Sequence, residues 1–208
     1  MKGQPDGGYG QLCWTNQSLL AFVAAQAIKF LRAQPQANLL SISQNDNRYF
    51  CNDTHERVVI DAEGSPMGPL LRGVNFVADA VKSELPSRDI VITTLAYQYT
   101  RKPPAITKPR ANVAVQVTAS GCTYGIPLTD PRNAAFADDL RAWAKLTRRL
   151  YVWDYTVDAG NYLLPWPNYF VIVSQHASFF HSSQTPVISL LTGPKHRLLR
   201  RARRPWGV

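Results

Sequence analysis

The chain has 208 residues, of which 45% are hydrophobic and 18% charged. Five Trp, nine Tyr and eight Phe supply enough apolar surface for a good-sized packed domain, which excludes wholesale disorder, and no apolar run reaches the ~18–20 residues of a membrane span. The formal charge of +9 is concentrated in Lys195, Arg197, Arg200, Arg201, Arg203 and Arg204, and the first 193 residues carry only +3, so a uniformly basic nucleic-acid-binding face is not indicated.

The N-terminal residues Met1 to Asp6 lack the hydrophobic stretch of a secretory signal, and no localisation is assigned. Leu19, Leu20, Val23, Ala24, Ala27, Ile28 and Leu31 recur at helical spacing behind candidate caps at Thr15 and Asn16, and Pro35 stops that helix. Leu39 to Ser43 reads as a short strand ending in the polar cluster Gln44-Asn45-Asp46-Asn47. Gln44 to Ser65 reads as a long loop, the kind that is usually functional or mobile. Ser65-Pro66 opens a second helix whose apolar stripe is Leu70, Leu71, Val74, Val77, Ala78 and Val81, ended by Pro86. Ile90 to Leu95 is β-branched and uncharged, a buried strand. The connection after it carries Pro103, Pro104 and Pro109, where a crossover helix is not credible. Val113 to Val117 is the third strand, Asp130-Pro131 opens a third helix with Phe136, Leu140, Trp143 and Ala144 inward, and Leu150 to Trp153 is the fourth strand. Asn168 to about Phe180 reads as a last helix.

This alternation predicts an α/β protein with about four parallel strands and flanking helices, either a small open sheet or part of a barrel. Polar and aromatic residues collect just after the strands, at the edge where parallel α/β folds bind ligands. Cys13, Cys51 and Cys122 are widely spaced, so a zinc site is not expected; one disulfide could join two of them, and the spacing does not choose which. Asn16-Gln17-Ser18 and Asn52-Asp53-Thr54 are glycosylation sequons, which matter only in a secreted chain. His55, His176, His181 and His196 do not fall at metal-ligand spacing. GxSxG, GxGxxG and GxxxxGK[ST] are all absent, so neither a serine hydrolase nor phosphate cradling has a motif behind it, and no cofactor is expected.

Three segments together, Ser41 to Asn47, Leu95 to Pro104 and Tyr151 to Tyr155, resemble the family called domain of unknown function 4838, from about Leu12 to about Phe180. The resemblance implies a glycoside-hydrolase-like TIM-type (β/α) barrel, here partial, and an association with carbohydrate. Family members carry closely spaced cysteines after the Asn-Asp-Asn segment, whereas this chain has Cys51 alone there. The family's barrel also continues where this chain turns into Thr192 to Arg197 and an Arg-rich end. The expected division is therefore a barrel domain over residues 1–182 and a basic, disordered tail over 183–208, as in a truncated or mis-spliced product.

Glycoside hydrolysis needs two carboxyl groups, about 5–5.5 Å apart for retention or ~6.5–9.5 Å for inversion. Asp46 and Asp154 both follow strand-like segments and are the candidate acid and base. Gln44, Asn45 and Asn47 are natural partners for sugar hydroxyls, and Tyr97, Tyr99, Trp153, Tyr155 and Trp166 offer faces for stacking. If the strand continued through Tyr97 and Tyr99, only one of the two would face a cleft. Asp46 among amides also suits a turn, and Asp154 after a strand also suits a structural acceptor. The expected function is hydrolysis or binding of a glycan; the alternative is a non-catalytic glycan binder or an inactive fragment of a larger enzyme. The tail could attract nucleic acid or an acidic membrane through charge alone, without base recognition. Exposed edges of an unclosed sheet favour self-association.

Overall fold

The computed structural model describes residues 10–128, 130–158, 161, 163–172 and the backbone of strand 187–192. Five strands form one all-parallel sheet in the order of the chain: β1 Leu39–Ser41, β2 Val91–Ala96, β3 Val113–Thr118, β4 Leu150–Tyr155 and β5 Val187–Thr192. Each strand lies beside its predecessor. That is the winding of a barrel wall, not of a doubly wound sheet whose strand order reverses. Among the described residues the sheet is not closed, and β1 and β5 are its edges.

Strands β1 to β4 lie within a residue or two of their predicted positions. The fifth is additional to the four expected, and it falls in the segment set apart as tail. The predicted helix from Asn168 lies largely outside the described residues, as does the Arg-rich end.

Helix α1, Gln17–Ala33, starts where Asn16 accepts a hydrogen bond from the Leu19 amide at 3.1 Å, and it buries Leu20, Ala24, Ala27 and Leu31 on one stripe. Its C-terminus is held by Arg88, whose guanidinium donates to the carbonyls of Leu31, Gln34, Pro35 and Ala37. These include carbonyls that a helix end leaves without partners, and the cation also suits the negative end of the dipole.

Helix α3, Met67–Glu84, is the central packing element. It buries Met67, Leu70, Leu71, Val74, Val77, Ala78 and Val81 and lies across β2 and β3. Its neighbours approach closely at Gly73, where a Cβ would sit 2.5 Å from the ring of buried Trp14. Helix α4, Ala134–Leu146, follows a 3-10 turn opened by Asp130-Pro131 and buries Phe136, Leu140 and Trp143. All of these face the apolar side of the sheet, formed by Ile92 and Ala96, by Val113, Val115 and Val117, and by Leu150 and Val152.

One helix was not expected. α2, Thr54–Glu63, occupies the second half of the segment read as a loop. Its buried positions are Glu56 and Glu63, so it has no apolar stripe for periodicity to find. Glu56 accepts hydrogen bonds from the amides of Trp14 and Thr15 and from the Thr15 hydroxyl. Glu63 accepts from the amides of Ile106 and Thr107, from the Thr107 hydroxyl and from the Arg72 guanidinium. Burial pushes the Glu63 carboxyl up, but these donors outweigh it and hold it at about 2. In this way α2 anchors the proline-rich passage from β2 to β3, which contains no crossover helix, as its prolines require.

Candidate functional site

At the C-terminal edge of the sheet a cavity of about 180 Å³ is lined by Gln44, Asp46, Leu95, Tyr97, Thr118, Trp153 and Tyr155. These come from the ends of four successive strands, and the strand register explains the selection. Leu95 pairs with Gln116, Gln116 with Tyr151, and Thr118 with Trp153. Because side chains alternate across a strand, Leu95, Thr118, Trp153 and Tyr155 share the face turned away from the helices.

That alternation separates the two candidate carboxylates. In β4, Leu150, Val152 and Asp154 are buried while Tyr151, Trp153 and Tyr155 are half-buried. Asp154 therefore lies on the helix-facing side, 1% exposed, and the cavity lining does not include it. Burial raises its carboxyl to about 6, opposed by the hydrogen bond it accepts from the Tyr155 amide at 2.8 Å.

Asp46 is exposed at the mouth of the cavity and accepts a hydrogen bond from the Tyr97 phenol at 2.8 Å. The amide nitrogen of Gln98 donates to the Tyr97 oxygen at 2.8 Å and lies 3.5 Å from the same Asp46 oxygen. Burial and the hydrogen bond to Asp46 raise the Tyr97 phenol above its usual range, and burial pushes that of Tyr155 to about 12. Both phenols keep their protons at neutral pH. Gln98 has a φ of +52°, unusual for a residue other than glycine, and its side-chain oxygen is buried with no hydrogen-bond partner. The Thr118 hydroxyl, on the cavity wall, is likewise buried and unpartnered.

Asn45 and Asn47 serve the loop that carries Asp46 and do not line the cavity. Asn45 donates to the Gly10 carbonyl, and Asn47 accepts from Gln11 and from the Tyr49 amide. Gln11 grips both flanks of Asp46: its amide nitrogen donates to the Asn45 carbonyl at 2.8 Å and its oxygen accepts from the Asn45 amide at 3.0 Å. A disulfide between Cys13 and Cys51, with Cα atoms 5.1 Å apart, ties the same two segments together. Cys13, Cys51 and Asp53 are near enough to hold a metal, but the two sulfurs are bonded to each other. Gln44 joins the loop to β2 by donating to the Tyr97 carbonyl and accepting from Thr100.

Tyr97 and Tyr99 part company because the chain enters a 3-10 turn at Gln98–Thr100. Tyr97 faces the cavity, whereas Tyr99 packs on Phe50 with ring centres 5.3 Å apart. Trp166 extends the aromatic surface indirectly: it packs on Tyr124, which meets Tyr155 edge-on at 5.8 Å. Sequence reasoning missed Leu95, Thr118 and Gln11. Leu95 and Thr118 were open to it, being two residues from Tyr97 and at the strand-end level of Trp153.

Fold and site together define an open, singly wound parallel α/β domain with an aromatic, carboxylate-bearing cleft at the ligand-binding edge. Residues 3–189 match the model of the family described as Domain of unknown function (DUF4838), and the chain belongs to that family. Among solved structures it is similar to a GH18 chitinase from Pseudoalteromonas aurantia, at 10% identity and a TM-score of 0.49, over 84% of this chain and 62% of that one. The chain thus spans less than two thirds of that chitinase. A comparison with curated proteins gives no match. Among the described residues no helix is long and apolar enough to cross a membrane.

Proposed function

We propose that the domain binds a glycan in this cleft, one sugar ring lying against Trp153 and Tyr155 with its hydroxyls directed to Asp46, Gln44 and Thr118. The reading rests on one observation: an aromatic wall, a carboxylate and an unpartnered buried hydroxyl converge on one cavity. Aromatic faces suit the apolar side of a pyranose, and a few fixed polar groups set its orientation. The carboxylates favour binding over hydrolysis. Asp46 is the carboxylate in the lining, while Asp154 sits on the other side of β4, so among the described residues acid–base chemistry at this ring has Asp46 alone to call on. Among the described residues β1 and β5 have a neighbour on one side only, which supports pairing with further strands.

Calorimetry against a panel of oligosaccharides tests this. Binding without turnover is expected, weakened about tenfold by Trp153→Ala. Absence of binding to every sugar, with the fold intact, refutes the reading. Release of aryl groups from aryl glycosides that Asp46→Asn and Asp154→Asn both abolish would restore the two-carboxylate hydrolase.

A further inference from the structure

We infer that the cleft selects a sugar carrying a protonated amine, a hexosamine with a free amino group, over the corresponding neutral or acidic sugar. The inference rests on the glycan-binding reading and adds the charge of the ligand. Among the described residues that line the cavity, Asp46 is the one with a formal charge, and none is Lys, Arg or His. No ion pair among the described residues includes it. Its hydrogen-bond donors, the Tyr97 phenol and the Gln98 amide, are neutral. In a chain whose overall balance is basic, the cleft is a local site of negative potential.

The rest of the lining sharpens the preference. Tyr97, Trp153 and Tyr155 present aromatic rings, whose negative faces attract an ammonium group as well as stacking on a sugar. A uronate would set a second carboxylate against Asp46, with no cation among the described lining residues to separate them. A neutral sugar offers Asp46 hydroxyl donors but no opposite charge, whereas an ammonium offers both a donor and the charge. A glucosaminyl ring satisfies every group: its ammonium meets Asp46 and the ring faces, its apolar side stacks, and a hydroxyl reaches the unpartnered Thr118 oxygen.

The test uses three ligands that differ only at C2: glucosamine, N-acetylglucosamine and glucose, each as the monosaccharide and the β-1,4 trisaccharide. They are titrated into the full chain at mildly acidic pH, where the free amine is charged. The glucosamine forms are expected to bind about tenfold tighter than the glucose forms, and the margin should shrink as salt is added, because Asp46 is exposed. In Asp46→Asn, which can still accept from Tyr97, the glucosamine and glucose forms should bind equally. Binding of all three with no preference, or a preference that survives Asp46→Asn, overturns the inference and leaves the glycan reading standing. Binding of none overturns both.

Discussion

Replacing Glu63 with Gln probes how the proline-rich passage between β2 and β3 is held in place. Glu63 is fully buried at its side chain, and all its partners there are donors: two amides, the Thr107 hydroxyl and the Arg72 guanidinium. A Gln amide must turn its own N–H groups toward some of them, leaving buried donors unmatched. Relative to its ordinary value of 4.5, a carboxyl held at about 2 corresponds to about 3 kcal/mol of stability at neutral pH. Because the folded value is depressed, this contribution is fully present above 4.5 and fades as the pH falls toward 2. Urea denaturation of the two proteins should therefore show a gap of about 3 kcal/mol at neutral pH that narrows through the acid range. A gap below about 1 kcal/mol, or one that does not narrow, refutes the reasoning.

The Cys13–Cys51 bridge spans 38 residues, a loop whose closure is worth about 4 kcal/mol in the chain-entropy account, so Cys13→Ser/Cys51→Ser should lower the denaturation midpoint and weaken sugar binding by loosening the Asp46 loop. Unchanged binding would separate the bridge from the site. Gly73→Ala should cost about 1–3 kcal/mol, because the added methyl meets the Trp14 ring, and an unaltered melting temperature would contradict that contact.

How far the sequence could be read depends on what each segment buries. Helices α1, α3 and α4 bury apolar stripes, and strands β2 and β3 are β-branched runs, so period and composition located them. Helix α2 buries two glutamates, and hydrophobic period is blind to that. Its local signals were present all the same: Asp53 three residues before Glu56 as a cap, and Gly64, with φ +61°, as the stop. β5 was hidden by the basic run just beyond it, although Val187-Ile188-Ser189-Leu190-Leu191-Thr192 has the composition of a strand.

In the site, the residues that end strands were legible because ligand edges are where strands end. Alternation in β4 places Trp153 and Tyr155 together and sends Asp154 to the other side, an inference available once the strand is taken through to Tyr155. The work done by Asn45, Asn47 and Gln11 was not legible. It depends on two segments more than 30 residues apart meeting, and no local pattern records that.

The bridge between Cys13 and Cys51 encloses only α1 and β1. During synthesis both sulfurs emerge before any residue of β2, β3 or β4, the strands that supply the aromatic wall. The Asp46 loop can thus be tethered to the Gln11 segment while the remainder of the cleft is still unmade. Where the bridge closes that early, β2 brings Tyr97 and Gln98 to an Asp46 loop already tethered at the Gln11 segment. Such an order requires an oxidising environment for the nascent chain, and it makes the chemistry of the folding compartment part of how this cleft is built.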